Sequence, residues 1–285
     1  MRSLVYTNPL GNSIALYREP YLITALDGIE MVEVNEQTQS APYQDGVTDL
    51  DALFGPRTIV VSGSILTQDL PTIYLDRASA QRQLNPKLGL GALTFTNDTG
   101  VYTTACRCIS ALFPNKEFTN PFQNFQLQFF CPDPYWYDQN QSSILMQIVT
   151  NGFTFPMTFP VVFGAFTGST PVSASNLGDS ITPVIITISG PTVNPVVSNL
   201  TTGEQIKLNI TLNTGDVAII NTKFGSKSVT KIAASGTITN ESSTLDANSI
   251  FWQLNIGDNQ IKFSDDYLMS LEQCTVAWYN RYVGK

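Results

Sequence analysis

Carboxylates are the first residues to consider for chemistry, because the 285-residue chain contains no histidine. Without histidine, a Ser-His-Asp triad, a Cys-His pair and a histidine-bound metal centre are all excluded. Two carboxylates are enough for a glycosidase, and Asp49 with Asp51 and Asp265 with Asp266 are candidate pairs. Neither pair stands in a recognisable hydrolase setting, and the sequence has no D-x-D-x-D-G calcium loop. We therefore interpret these acids as solvated turn residues and predict no catalytic site, no metal site and no cofactor.

The cysteines are the second candidate, since Cys106 and Cys108 place two thiols on one face of a predicted strand. Such a pair could bind a metal or carry a redox reaction. The other two cysteines, Cys131 and Cys274, are distant in sequence, and the spacing fits neither a zinc ribbon nor a dense disulfide framework. We therefore expect all four to be reduced, buried thiols of a protein made in a cytosol.

Aromatic side chains near the end of the chain are the third candidate. Trp278, Tyr279 and Tyr282 lie on a predicted final strand, and Trp252 lies on an earlier one. Aromatic rings on a β-sandwich surface can stack on sugars, whereas rings that alternate with polar neighbours fill a core. The alternation favours a core position for both tryptophans and leaves Tyr279 and Tyr282 as a weak candidate contact for a glycan.

Strands are the elements that must position these residues. From Phe125 to Cys131, apolar and polar residues alternate in the period-two pattern of a strand with one buried face. Short segments of this kind recur to the end of the chain at the spacing expected of a sandwich or barrel. The one predicted helix runs from Ile73 to Leu84, because this stretch lacks glycine and proline, follows Pro71 and ends at Asn85-Pro86.

Charge is scarce in this chain: only 13% of the residues are charged, and the formal net charge is −8. Low charge together with 11% aromatic residues indicates much buried surface, in a core or between subunits. The negative balance argues against a nucleic-acid backbone as a binding partner, since such binding needs clustered Lys and Arg. No apolar run approaches the ~20 residues of a membrane helix, and the first residues lack the apolar region of a signal peptide.

Two domains are predicted, 1–140 and 141–285. The dominant basic residue changes at this boundary, from arginine before it to lysine after it. Within the first domain, the polar and acidic stretch from Glu36 to Asp51 is long for a hairpin loop. We interpret this stretch as a loop that a partner subunit could order.

The chain as a whole resembles the distal tail protein (Dit) family of long-tailed bacteriophages, which also occurs in prophage tail modules. The similarity extends over nearly the full length and depends on the order and spacing of several segments rather than on any one of them. The segments that carry it are Phe54 to Gly63, Phe129 to Tyr137, Ile188 to Pro191 with Asn194-Pro195, Asn199 to Gly203, Leu254 to Asn259, and Trp278 to Tyr282.

The resemblance implies a mainly β fold with two domains. The first, a β-rich belt with one helix and a projecting β-hairpin, would build a hexameric ring at the phage tail tip, and the second would be a galectin-like β-sandwich. The ring would join the tail tube protein to a tail-associated hub, lysin or receptor-binding protein. The protein would then be a structural part of the virion tail tip, made in the bacterial host cytoplasm, without enzymatic activity, cofactor or membrane contact.

The acidic stretch adds an expectation about where the ring contacts lie. We expect Asp45, Asp49, Asp51 and Arg57 to face either the ring lumen or a neighbouring subunit. A negative lumen would let DNA pass without specific binding, because like charges do not adhere. Two alternative functions remain open: a carbohydrate-binding receptor-recognition module that uses the sandwich domain, and a histidine-free glycosidase or tail lysin.

Overall fold

The protein's structure is a computed structural model that describes residues 3–67, 69–114, 122–147, 169–266 and 273–285. The chain divides into two compact units: unit 1 comprises Met1–Gln139 and Arg281–Lys285, and unit 2 comprises Asn140–Asn280. This division differs from the predicted domains 1–140 and 141–285 at the C-terminus, because residues 281–285 return to unit 1. The return has a local cause, since a short strand at Arg281–Tyr282 pairs with Trp136–Asp138 of unit 1.

Strands make up most of both units, which confirms the predicted mainly β fold. In unit 1 they are β1 (Ser3–Thr7), β2 (Ser13–Ala15), β3 (Tyr17–Arg18), β4 (Tyr21–Asp27), β5 (Val34–Gln39), β6 (Thr48–Phe54), β7 (Arg57–Leu66), β8 (Gly91–Asn97), β9 (Gly100–Leu112), β10 (Phe122–Cys131) and β11 (Trp136–Asp138). In unit 2 they are β12 (Ser142–Gln147), β13 (Val172–Asn176), β14 (Thr182–Ser189), β15 (Thr192–Val193), β16 (Val196–Asn199), β17 (Glu204–Lys207), β18 (Thr211–Leu212), β19 (Val217–Asn221), β20 (Ser228–Ile232), β21 (Ile238–Asn240), β22 (Gln253–Leu254), β23 (Gly257–Ser264) and β24 (Gln273–Trp278). The last strand, β25 (Arg281–Tyr282), completes unit 1, and short 3-10 turns lie at Pro86–Leu88 and Ser242–Thr244.

Unit 1 is organised around one ten-stranded antiparallel sheet. Eight of its strands have the order β2-β1-β8-β9-β10-β7-β4-β3, and of the other two, β11 pairs with β9 and β25 pairs with β11. Strand β10 lies near its centre and shows the predicted alternation. Phe125, Leu127, Phe129 and Cys131 are all buried, while the residues between them are less so. The strand therefore buries one face against the core of unit 1, as the period-two pattern predicts.

The predicted helix is present as α1 (Leu70–Gln83), which begins three residues earlier than the predicted start at Ile73. Asp69 caps its first turn by accepting a hydrogen bond from the Thr72 amide at 2.8 Å, and Pro71 lies in the first turn, where its missing N–H has no cost. Ile73 and Ala80 are the buried residues of the helix, which packs against β7 and β2. The early start follows from this cap, which the apolar periodicity does not reveal.

Unit 2 is a β-sandwich. One sheet has the order β12-β24-β14-β19-β20-β21 with β22 beside β14, and the other has the order β13-β23-β16-β17. Buried residues from both sheets join in one hydrophobic cluster, for example Ile186 and Val276 from the first and Val197 and Phe263 from the second. The two tryptophans of unit 2 belong to this cluster, as predicted. Among the described residues, no helix has the length and apolar character needed to cross a membrane.

Candidate assembly site: an acidic hairpin arm and its anchor

The predicted loop from Glu36 to Asp51 is instead a β-hairpin. Strands β5 and β6 pair only with each other in the described part of the chain, and we call the hairpin 34–54 the arm. The loop interpretation was wrong because a strand is recognised in sequence by one apolar face, and the arm has none. Every residue from Asn35 to Leu53 is exposed. A two-stranded hairpin alone in water is marginally stable, so the arm is an element suited to contact with another molecule.

A bulge in the arm determines where its acids point. Gln37 pairs with Asp51, whereas the next residue, Thr38, pairs with Asp49, so Leu50 is the extra residue. Because Gln37 and Thr38 point to opposite faces of the ribbon, their partners Asp51 and Asp49 do so as well. Asp49 and Asp51 therefore do not share one strand face, although they lie two residues apart. Each face of the arm presents one of the two carboxylates. They therefore do not face each other as a catalytic acid–base pair or as two ligands of one cation would.

The arm has a one-sided charge. It contains four acidic residues and no basic one, namely Glu36, Asp45, Asp49 and Asp51. The large apolar side chains Val47, Leu50 and Leu53 are exposed beside them. This combination of apolar contact area and like charge fits a protein partner of opposite charge better than it fits a chemical reaction.

The tip of the arm is ordered by its own hydrogen bonds. The amide of Gln44 donates to the carbonyl of Ala41, and the Gln44 side chain accepts from the Ala41 amide and donates to Thr48 Oγ1 at 3.0 Å. Tyr43 is held at a φ of 64°, a left-handed conformation that is uncommon for a non-glycine residue. Its side chain is fully exposed. The arm thus ends in a fixed turn that presents one aromatic ring to the outside.

Arg57, at the base of the arm, is not where the sequence predicts it. Its side chain is 1% exposed, so it faces neither a lumen nor a neighbouring subunit. The guanidinium donates from Nε to the Pro134 carbonyl at 2.8 Å and from Nη1 to the Gly28 carbonyl at 2.7 Å. It also donates to the carbonyls of Glu30 and Val283. Arg57 therefore joins the segment before the arm to the segment between β10 and β11 and to the C-terminal tail.

Further contacts reinforce this anchor. The Trp136 indole donates to the Ile29 carbonyl at 3.2 Å, and the Arg57 guanidinium lies 5.7 Å from the Trp136 ring. The Lys285 amide donates to the same Ile29 carbonyl at 2.9 Å. Burial lowers the pKa of Arg57, and the nearby Cys131 and Glu30 act in the opposite direction. The segment that leads into the arm is thus held by buried side chains and by the end of the chain.

The anchor has a signal in the sequence that sequence analysis missed. Arg57 stands two and four residues before Ile59 and Val61, both of which are fully buried on β7. The period of two places all three on the same face, so an arginine in register with a buried apolar run predicts a buried guanidinium. Such a group needs several acceptors, and backbone carbonyls are the ones this site supplies.

The predicted glycan contact is divided between the two units. Tyr279 belongs to unit 2 and is partly exposed, whereas Tyr282 lies on β25 of unit 1. Tyr282 packs edge-on against Tyr102 at 5.2 Å, its hydroxyl donates to Asp138 at 3.2 Å, and the Lys285 ammonium lies over its ring. Tyr282 is therefore a packing residue of unit 1, and it does not lie on the sandwich as predicted.

The remaining candidate residues have structural contacts. Asp265 accepts from Thr192 Oγ1 at 2.6 Å, and Asp266 accepts from Asn194 at 2.9 Å. The four cysteines are buried and unpaired by disulfides, as predicted. Burial raises the pKa of Cys108 to about 11, which keeps this thiol protonated and unreactive at neutral pH. In the described ranges, no group of three or more acidic or cysteine side chains could hold a metal ion.

Two family models match this chain. The model described as a phage tail protein RIFT-related domain matches residues 18–131, and the model described as the C-terminal domain of a siphovirus-type tail component matches residues 177–282. The two together cover more than half of the chain. None of the curated proteins compared with the chain matches it in sequence.

Solved structures of phage tail proteins share the fold. The crystal structure of the Dit protein of phage SPP1, described as a paradigm of the hub adsorption apparatus of phages that infect Gram-positive bacteria, aligns with a TM-score of 0.71 and 14% identity over 99% of each chain. A chain of the phage P2 baseplate in its activated, calcium-bound conformation aligns with a TM-score of 0.57 and 11% identity, over 97% of this chain and 98% of that one. The strontium-bound form of the same baseplate gives the same values.

Proposed function

Because the chain belongs to the distal tail protein family of siphoviruses, whose members are structural components of the phage tail, we propose that it forms a hexameric ring at the tail tip. One face of the ring would meet the tail tube protein, and the other would carry a tail-associated hub, lysin or receptor-binding protein. The protein would be made in the host cytoplasm and then incorporated into the virion. A structural role without catalysis agrees with the hydrogen bonds of Asp265 and Asp266 and with the burial of the four cysteines.

The observation that carries this proposal is the arm. It is exposed on both faces and pairs with no other strand of the described chain, yet its base is fixed by the buried Arg57. A hairpin that does not bury surface in its own subunit gains stability from burial against another one. If each subunit offers one arm and one receiving surface, the contact is head-to-tail, and six such contacts close into a ring when each rotates the next subunit by one sixth of a turn.

The charge of the arm supports a further part of the proposal. Asp45, Asp49 and Asp51 remain candidates for the ring lumen or for a neighbouring subunit, whereas Arg57 serves as the anchor. Acids that face the lumen would repel the phosphate backbone, so DNA would pass without binding. Acids that face a neighbour would need cationic partners there, because like charges across an interface oppose association.

The ring is tested with the purified full-length chain by native mass spectrometry at high micromolar concentration. We expect a mass six times that of the chain. A variant in which Glu36–Ala52 is replaced by an Asn-Gly turn should remain folded by circular dichroism but stay monomeric. Phe224→Ser serves as the control, because Phe224 is 83% exposed on unit 2 and should leave the hexamer intact. A wild-type chain that stays monomeric, or a hexamer that survives removal of the arm, would contradict the proposal.

A further inference from the structure

A cleft in unit 1 is a candidate receiving surface for the arm. It lies between the turn that joins β1 to β2 and the C-terminal end of α1, and its volume is about 310 Å³. Two apolar side chains, Leu10 and Leu88, line it together with Arg82 and Gln83. Leu10 is 70% exposed although it stands beside this concave surface. The cleft is large enough for one aromatic side chain and its immediate neighbours.

One wall of the cleft is preformed. Asn8, which is buried, accepts hydrogen bonds at 3.0 Å from the amides of Leu10 and Asn12, and its own amide donates to the Gln83 carbonyl at 3.3 Å. This side chain therefore ties the β1–β2 turn to the last turn of α1. A site that is already shaped binds without the cost of ordering its loop.

Two polar groups in the cleft lack partners in the described chain. Gln83 Oε1 is buried without a hydrogen-bond donor, while the Gln83 amide nitrogen donates to Ser79 at 3.1 Å. The Arg82 guanidinium is exposed and makes no hydrogen bond or ion pair with the described residues. An orphaned acceptor costs free energy, and a donor from outside would recover it. The cleft therefore fits a ligand that brings an O–H donor, an apolar body and a negative charge.

The tip of the arm carries these three features in one short turn. Tyr43 has a ring and a hydroxyl donor and is fully exposed, and Asp45 follows two residues later with a carboxylate. The tip is held by the hydrogen bonds of Gln44, so its side chains are presented in a fixed arrangement. Rigid tyrosines that enter pockets are typical energetic centres of protein interfaces.

We propose that the arm tip of one copy docks into the cleft of a second copy. The Tyr43 ring packs between Leu10 and Leu88, and its hydroxyl donates to Gln83 Oε1. The Asp45 carboxylate pairs with the Arg82 guanidinium. This inference rests on the proposed function, since it names the surface that receives the arm. Each copy supplies one tip and one cleft, so the contact repeats head-to-tail, as the proposed ring requires.

Disulfide trapping tests the contact directly. The variant Tyr43→Cys with Ser79→Cys places one thiol on the tip and one in the cleft, and the four native cysteines are buried and give little background. The thiols are oxidised with an aromatic disulfide, which is reduced to two thiols as one intermolecular S–S bond forms. We expect a ladder of linked chains that ends at six. The control pairs Tyr43→Cys with Gln205→Cys, an exposed position on unit 2, and should give no ladder.

A charge exchange tests the ion pair. Asp45→Arg and Arg82→Asp should each weaken association by about tenfold or more, and the double variant should recover most of that loss, because only residues that pair show such coupling. All five residues changed in these tests are at the surface or in the cleft, and the fold of each variant is checked by circular dichroism.

The outcomes separate the two proposals. If the wild-type chain does not associate, the ring itself is wrong and tip docking falls with it. If the wild type forms a hexamer but the Tyr43–Ser79 pair does not link and the charge exchange shows no recovery, the ring stands and tip docking is overturned. A ladder with the Gln205 control alone would also overturn tip docking and place the receiving surface on unit 2.

Discussion

Arg57 of unit 1 and Asn259 of unit 2 both fix backbone segments through buried hydrogen bonds, but one side chain is charged and the other is neutral. Both are almost completely buried and both bind backbone groups, but those of Arg57 come from segments far apart in sequence and those of Asn259 from its own turn. Arg57 donates to four carbonyls and accepts nothing. Asn259 donates to the carbonyls of Asn255 and Gly257 at 2.9 and 3.0 Å and accepts from the Asn255 amide at 3.0 Å.

The difference reflects what each residue holds in place. Asn259 closes a turn of the sandwich in which both N–H and C=O groups need partners, and a neutral amide can supply both. The groups that Arg57 binds are all carbonyls, and a guanidinium is the side chain with several donors and no acceptor. Unit 1 therefore buries a charge to fix an element whose own residues are exposed. Unit 2 buries a neutral group to stabilise itself.

Removal of the Arg57 guanidinium should have the largest effect. Arg57→Met removes the buried donor that four part-buried carbonyls share, and we expect the free energy of unfolding of unit 1 to fall by about 3 kcal/mol or more. Hydrogen-exchange mass spectrometry should show lost protection in β7 and β10 and unchanged protection in β14 and β24. Arg107→Met, an exposed arginine in the same sheet, is the matched control and should change little. An equal loss in both units would break the distinction drawn between them.

Removal of the Asn259 amide should lower stability less than removal of the Arg57 guanidinium, and the loss should be confined to unit 2. Asn259→Leu keeps the volume but leaves the Asn255 amide and two carbonyls without partners, so unit 2 should lose about 2 kcal/mol. The same exchange experiment should now show the loss in β13 and β23. Gln260→Ala, the exposed neighbour on the same strand, is the control. If Asn259→Leu also abolished ring formation, its effect would not be limited to the stability of unit 2, contrary to this prediction.

How well the sequence predicts an element depends on whether the residues that pair and pack with that element lie within the same unit. The alternation in β10 predicts that strand because its buried and exposed faces are both satisfied within unit 1. The arm gives no such signal, since it pairs with no other strand of the described chain and both of its faces remain polar or mixed. The burial of Arg57 was missed for a related reason: arginine is usually exposed, and only its register with Ile59 and Val61 indicates burial. The return of β25 to unit 1 has no local signal, because it depends on pairing with a strand more than a hundred residues away.

A charge is also buried in unit 2, but it is paired there, and this gives a pH test. The Asp216 carboxylate lies 2.9 Å from the Lys231 ammonium and accepts from the amides of Asn213 and Ala234. The Lys231 contact, followed by these amides, lowers the pKa of Asp216 from 3.8 to about 2. Since the folded pKa lies below the unfolded one, the stabilisation is complete above about pH 4 and is lost as the pH falls towards 2.

The measurement is the thermal midpoint of unit 2 at pH 5 and at pH 2.5. Asp216→Asn should lower the midpoint at pH 5 and reduce its further fall on acidification. Asp179→Asn, an exposed acid of the same unit, should leave the wild-type profile unchanged. A wild-type midpoint that is flat between these two pH values would show that Asp216 is not held by its partners as the geometry indicates.

The smallest effect on stability is expected where the molecule presents the most charge. Glu36 and Asp49 lie on the same face of the arm, are exposed and form no ion pair within the described chain. Glu36→Gln with Asp49→Asn should therefore change the unfolding free energy of unit 1 by less than about 0.5 kcal/mol, as is usual for exposed charges. Association should respond instead: neutralisation should weaken the salt dependence of ring formation if these acids meet cations of a neighbour, and leave it unchanged if they face the lumen. Dissociation constants measured at 50 and 300 mM salt distinguish these two positions. A large loss of stability in the monomer would instead mean that these side chains hold the arm within its own subunit. The proposal that the arm is stabilised by a neighbouring subunit would then be wrong.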